Sequence, residues 1–227
     1  MELKVAILVD GGFFLKRYRV LNKQKPGFDQ YDPIQTAKDF QEITRRHIAF
    51  RNEEKQYLYR ILYYDCFPFN KRIHNPVTGK LIDFSKSKIA AFRIAFFEEL
   101  KKQRKVALRL GEVKDHAGWV LRPQKTKELL NKKVTVDDLQ EDDVYYDLSQ
   151  KGVDMRIGLD IASLAYKRLV NRIVLISGDS DFVPAAKVAR REGIDFILDP
   201  MWNHIDSSLF EHIDGLRSTI AKPGRSE

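Results

Sequence analysis

Five apolar residues in a row, Val5 to Val9, follow Lys4 and stop at Asp10. A strand with one wet face alternates apolar and polar positions. An unbroken β-branched run suits a strand buried on both faces, as in a parallel sheet. Similar runs return at Arg172–Ile176 (RIVLI) and Ile194–Leu198, and a more aromatic one spans Tyr57–Tyr64 (YLYRILYY) and ends on Asp65. Helical spacings fall between them. Asp32-Pro33 with Gln35 supplies a cap, a proline at the first helical position and a capping-box partner, predicting a helix to about His47. Ile89, Phe92, Phe96, Phe97 and Leu100 form one stripe of a helix from about Ser85. Ile157, Ile161, Leu164 and Ala165 do the same over Val153–Leu169, and Val183–Arg191 closes at Gly193.

The middle of the chain is less regular. Phe67–Gly79 is rich in Pro, Asn and Gly and reads as a loop. Val106–Val113 reads as a strand with Trp119–Leu121 as its hairpin return, and Gln124–Asp147 is the most polar stretch. Alternating strands and helices imply βαβ crossovers and an α/β fold with a mostly parallel sheet. The expected organisation is one domain over residues 1–221, with its core in about 4–64 and 151–213. A middle segment of about 68–150 is inserted, and 222–227 form a frayed tail. With 227 residues, 43% of them hydrophobic, the chain can bury a real core. No apolar run approaches the ~20 residues of a membrane span, and Val5–Val9 is too short for a signal peptide. The single cysteine, Cys66, excludes an intrachain disulfide and fits a reducing, cytoplasmic compartment.

Charge adds a partner. Forty Lys and Arg against 32 Asp and Glu give a net charge of +8, which favours a polyanion such as nucleic acid. Lys16, Arg17, Arg19, Lys23 and Lys25 lie in an acid-free interval, as do Lys101, Lys102, Arg104, Lys105 and Arg109. Both stretches are candidates to track a nucleic-acid backbone, with Phe13, Phe14 and Tyr18 either core residues, the commoner place of large apolar side chains, or stacking surfaces for unpaired bases.

The candidate chemistry is acidic. Ligands of open parallel sheets bind beyond the carboxyl ends of the strands. Asp10 follows the first strand, with Gly11-Gly12 to turn the chain, and Asp179 and Asp181 follow Arg172–Ile176. Asp154 lies three residues before Ile157 and seven before Ile161, a spacing that places it on the buried stripe in its helix's first turn. These acids are therefore expected at one rim, where their repulsion calls for a hard divalent cation, Mg²⁺ or Mn²⁺. Lys151 and the amides of Ser180 and Asp181 can offset charge on a bound phosphate. Asp160 is rotated off the stripe and stands further down the helix, in a supporting place at most.

VAILVDGGFF, LYYDCFP, KGVDMRIGLDIASLA and IVLISGDSDFVPAAKVARREG together resemble the NYN domain family of the LabA-like type, relatives of PIN-domain nucleases. The resemblance covers about Lys4–Tyr64 and Lys151–Leu198, and the middle loosely. It implies a PIN-like three-layer fold, an acidic metal centre, and RNA cleavage or RNA binding. Asp10, Asp154, Asp179 and Asp181 match its acidic cluster, and Ser177 matches a small polar residue that precedes it. One position departs: Gly12 stands where many relatives carry Asn.

The expectation is a metal-dependent ribonuclease acting on single-stranded RNA, with no membrane partner and with a homodimer left open. The alternative is a non-catalytic RNA-binding module with a residual cation site. Other classes lack their residues. Gly12 occupies the place of the second Asp of haloacid-dehalogenase enzymes, and Asp10 that of the Toprim glutamate. The five histidines show no zinc spacing, and neither a P-loop nor a G-x-S-x-G elbow is present.

Overall fold

The structure, a computed structural model, describes residues 3–48 and 55–222, without the side chains of 114–117 and 149–151. Its first strand, β1 (Leu3–Asp10), is buried on both faces as its unbroken apolar run demands. Val5, Ile7 and Val9 enter one core, while Ala6 and Leu8 enter the other. The chain then forms α1 (Gly11–Asn22) and α2 (Pro33–Arg45), the latter capped by the Asp32 carboxylate on the amides of Ile34 and Gln35. Next come β2 (Gln56–Cys66), a small hairpin of β3 (Arg72–His74) and β4 (Leu81–Asp83), and α3 (Lys88–Lys101). A long β5 (Val106–Leu121), a short α4 (Pro123–Leu130) and β6 (Val144–Lys151) follow. The last third holds α5 (Val153–Tyr166), β7 (Arg172–Ile176), α6 (Val183–Arg191), β8 (Asp195–Asp199), α7 (Ser207–Phe210) and β9 (Gly215–Leu216).

The sheet runs β6-β5-β2-β1-β7-β8-β9. All its pairings are parallel except β5 with β6. Residues of α1, α2 and α3 pack with one face and residues of α5 and α6 with the other, giving the expected three-layer α/β architecture. Strand order moves outward one way from β1 to β2 and β5, and the other way through β7 and β8. The reversal falls between β1 and β7, where such folds open a crevice at the strand ends.

Four expectations change. First, Trp119–Leu121 does not turn back on Val106–Val113. Both belong to β5, and the return strand is β6, with Trp119 opposite Tyr146. The partner lies in and just beyond the polar stretch, because this ribbon hides one face only. Second, the loop after β2 contains the β3–β4 hairpin. The Asn75 side-chain oxygen takes the amides of Val77 and Thr78, and Gly79 supplies a left-handed φ of 69° to turn the chain. Third, Ile89 is half exposed, and Ala90 joins Phe92, Phe96, Phe97 and Leu100 inside. The first turn of α3 stands above the sheet, so Ile89 faces the groove lined by Val113 and Leu148. Fourth, Asp154 is exposed, and Val153 occupies the buried stripe with Ile157 and Ile161.

β5 reaches well past the rim. Its pairing with β2 ends at Cys66 opposite Gly111, while Glu112–Leu121 pairs with β6 alone. The resulting arm is fastened to the β3–β4 hairpin by rings. Phe69 stacks on Tyr146 at 5.5 Å, and Phe84 and Trp119 approach Tyr146 at 5.9 and 5.5 Å.

Candidate active site

Two short loops leave the carboxyl ends of β1 and β7 at the strand-order reversal. Asp10 ends β1 and caps α1, its carboxylate accepting the Phe13 amide at 3.0 Å. Only glycine serves at the next position, since a Cβ on Gly11 would stand 2.7 Å from the Tyr64 carbonyl oxygen of β2. Beyond β7, the buried Ser177 hydroxyl accepts the Asp179 amide at 3.4 Å. The Asp179 carboxylate accepts the Asp181 amide at 3.0 Å, opening a 3-10 turn at Ser180–Phe182 anchored by the buried Phe182 ring. A Cβ on Gly178 would lie 2.8 Å from the Phe13 ring, so the two loops lean directly on each other. Asp154 joins them from the first turn of α5, after Gly152 in a left-handed conformation.

The electrostatics tie these acids together. Burial pushes the Asp10 carboxyl up to about 6, helped by the charges of Asp154 and Asp65 and opposed by the amides of Phe13 and Gly12. Although its surface is exposed, partial desolvation raises the Asp154 carboxyl too, and the charges of Asp179 and Asp181 add to it. Among the described residues no lysine, arginine or histidine forms an ion pair with any of the four. A set of carboxylate oxygens without a cation suits Mg²⁺ or Mn²⁺ in donor chemistry. In geometry the set is open: among the described residues, no three His, Cys, Asp or Glu side chains converge closely enough to hold a metal ion.

The other candidates scatter. Asp160 accepts the Tyr64 hydroxyl at 2.8 Å and pairs with Arg109 at 3.3 Å, so it braces α5 against β2 and β5. Lys151 ends β6 opposite Glu112, and its side chain is outside the described set. The amide of Asp181 is taken by Asp179, which leaves that of Ser180 as the one to meet a phosphate. Arg17 is spent on the Met201 carbonyl at 2.8 and 3.1 Å, and Arg19 lies 5.6 and 5.5 Å from the Tyr31 and Phe92 rings. Lys16 is exposed, whereas Phe14 and Tyr18 are core residues and not stacking surfaces. Lys101 and Lys102 pair with Glu98 and Glu99, both at 2.6 Å, and Lys105 donates to the Leu58 carbonyl. With Arg104 they precede β5, at the rim opposite the four acids.

Two rim residues carry weight that the sequence reading did not assign. Asp65, fully buried at the end of β2, accepts from Arg93 at 3.0 Å, from the Tyr63 hydroxyl at 3.0 Å and from the Cys66 amide at 2.7 Å. Arg93 belongs to a basic run: Lys71, Arg72, Lys80, Lys86, Lys88 and Arg93 stand between Phe67 and Ile94 with Asp83 as the lone acid. That scarcity of acids is visible in the sequence and marks this face as strongly as the two intervals singled out above.

No curated protein matches the chain. Its architecture is similar to the crystal structure of a protein of unknown function from Vibrio parahaemolyticus, at 16% identity and a TM-score of 0.46 over 94% of this chain and 91% of that one. No described helix is long and apolar enough to cross a membrane. The NYN domain model matches residues 78–206, which takes in Asp154, Asp179 and Asp181. The match runs through the middle segment, where the resemblance was loose, and starts after Asp10. Spanning more than half of the 227 residues, it shows that the chain belongs to the NYN domain family, within the PIN-like nuclease superfamily.

Proposed function

We propose that this protein is a LabA-like NYN ribonuclease that cuts single-stranded RNA with Mg²⁺ or Mn²⁺ held by Asp10, Asp154, Asp179 and Asp181. One observation supports the reading: Asp154 acts on Asp10 and itself feels Asp179 and Asp181, and no described cation neutralises these carboxylates. A divalent cation bound there lowers the pKa of its water and screens charge on a phosphoryl oxygen. Asp10 would hold the ion as a carboxylate, a form that burial and neighbouring acids oppose and a bound cation would favour. Asp179 holds the 3-10 turn and Ser177 the loop before it, and the Ser180 amide would donate to the phosphate. All four carboxylates come from one chain, so the chemistry needs no second copy. Lys16, exposed on the helix that Asp10 caps, would meet the strand near the cut. Lys101, Lys102, Arg104 and Lys105, at the opposite rim, meet only RNA far from it. The lone buried Cys66 agrees with a cytoplasmic setting.

The open geometry favours a second reading, an RNA-binding module with a residual cation site. Cleavage separates the two. End-labelled single-stranded RNA and DNA are incubated with Mn²⁺, Mg²⁺ or EDTA, using wild type, Asp10→Asn and Asp179→Asn purified in parallel. The nuclease reading expects metal-dependent cutting that falls roughly 100-fold or more in both variants. Wild type as inert as the variants on every substrate would leave the binding module.

A further inference from the structure

A groove of about 350 Å³ opens between the first turn of α3, the β3–β4 hairpin and the arm. Phe69, Phe84, Ile89, Arg93, Val113 and Leu148 line it. Its size is at the lower end of the ~300–1,000 Å³ typical of small-ligand pockets. Ile89 is 50% exposed and Leu148 37%, so the apolar lining is open to solvent. Phe69 and Phe84 stand edge to face at 5.3 Å and give the groove aromatic walls.

Position and charge say what belongs there. The groove sits on the same rim as the four acids, beyond the carboxyl end of β2. Arg93 bonds Asp65 at 3.0 Å, and Asp65 in turn acts on Asp10. Basic residues flank the lining residues along the chain. Lys86 and Lys88 are exposed on its α3 side, Lys71 lies 5.8 Å from the Phe69 ring, and Arg72 is exposed on β3. Asp83, the lone acid of this stretch, is already bonded to Arg72. An apolar, aromatic slot holding Arg93 and flanked in sequence by basic residues complements a single nucleotide, with its flat base inside and its phosphate outside. Arg93 has N–H donors beyond the one given to Asp65, and they can meet the oxygens and ring nitrogens on a base edge.

We propose that this groove receives an unpaired base of the RNA strand whose phosphodiester lies at the four aspartates. Its placement beside a scissile phosphate rests on the nuclease reading, whereas base capture itself is tested without cleavage. A single-stranded RNA oligonucleotide and the same strand carrying abasic sites are titrated in EDTA by fluorescence anisotropy. The proteins are wild type, Ile89→Trp, which fills the groove from a half-exposed position, and Phe84→Leu, which keeps apolar bulk but removes the aromatic face. All three retain Arg93 and the flanking basic residues. The base-bearing strand is expected to bind about ten-fold more weakly to both variants, and the abasic strand equally to all three proteins. Unchanged binding of the base-bearing strand, or an equal loss on both strands, would overturn the proposal. Base-dependent binding through the groove by a protein that cuts nothing would sink the nuclease reading alone. Cutting by wild type, with variants that bind base-bearing RNA normally, would sink the groove alone.

Discussion

Three strands of this sheet end on or next to an aspartate, and the three carboxylates meet different fates. Asp65 on β2 is fully buried and satisfied by Arg93, Tyr63 and the Cys66 amide. Asp199 on β8 is also fully buried, 2.9 Å from His47 and 2.7 Å from the Met201 amide. Asp10 on β1 lies between them in the sheet. It has one amide bond to Phe13, no described cation, and two acids that make its charge harder to hold. Buried charges are ordinarily paired, because desolvation of a lone carboxylate is costly. The outer two therefore hold the fold together, while the central one is kept in an environment that opposes its ionisation. Under the proposed nuclease reading, a carboxylate of that kind gains its partner from outside the chain.

The contrast can be broken at each strand end. Arg93→Ala leaves Asp65 buried without its guanidinium and is expected to cost about 3–5 kcal/mol in urea unfolding. A loss under about 1 kcal/mol would show that Asp65 does not depend on the pair. His47→Ala is expected to cost about 1–3 kcal/mol, since Asp199 keeps the Met201 amide but loses its other near partner.

Asp10→Asn should move the other way. Asp10 has an ordinary pKa of 3.8 and a folded value of about 6, so folding takes up a proton between those pH values. Its contribution is favourable below about pH 4 and is lost as pH rises through 6. At pH 7.5 the Asn variant is expected to be about 2 kcal/mol more stable, or roughly 5 °C in Tm. The gain should shrink as pH falls toward 4, and a variant no more stable than wild type at pH 7.5 would erase the contrast. The smallest effect belongs to the exposed pairs: Lys101→Ala and Lys102→Ala should each change stability by less than about 0.5 kcal/mol.

Much of the sheet could be read from apolar runs, because a strand buried on both faces leaves no alternation to misjudge. β1, β7 and β8 appear where VAILV, RIVLI and IDFIL stand. The arm was hidden because its strands alternate aromatic, polar and charged residues, and because β6 is separated from its partner by α4 and two 3-10 turns. The site was legible in part. Strand ends and the strand-order reversal put Asp10, Asp179 and Asp181 on one rim, but helical spacing overstated the burial of Asp154. Periodicity cannot tell neighbours i and i+1 apart at the first turn, where the chain enters from a left-handed glycine. Arg93 was missed because its meaning depends on Asp65, 28 residues away.

β1 occupies the middle of the sheet, and its two neighbours are made at very different times. Its pairing with β2 forms across a short span, but its pairing with β7 joins Val5 to Arg172. Until β7 is synthesised, the most apolar strand of the protein presents an open edge, and open apolar edges recruit other chains. Fragments that stop before Arg172 should therefore collect in aggregates, and those that include β7 and β8 should stay in solution.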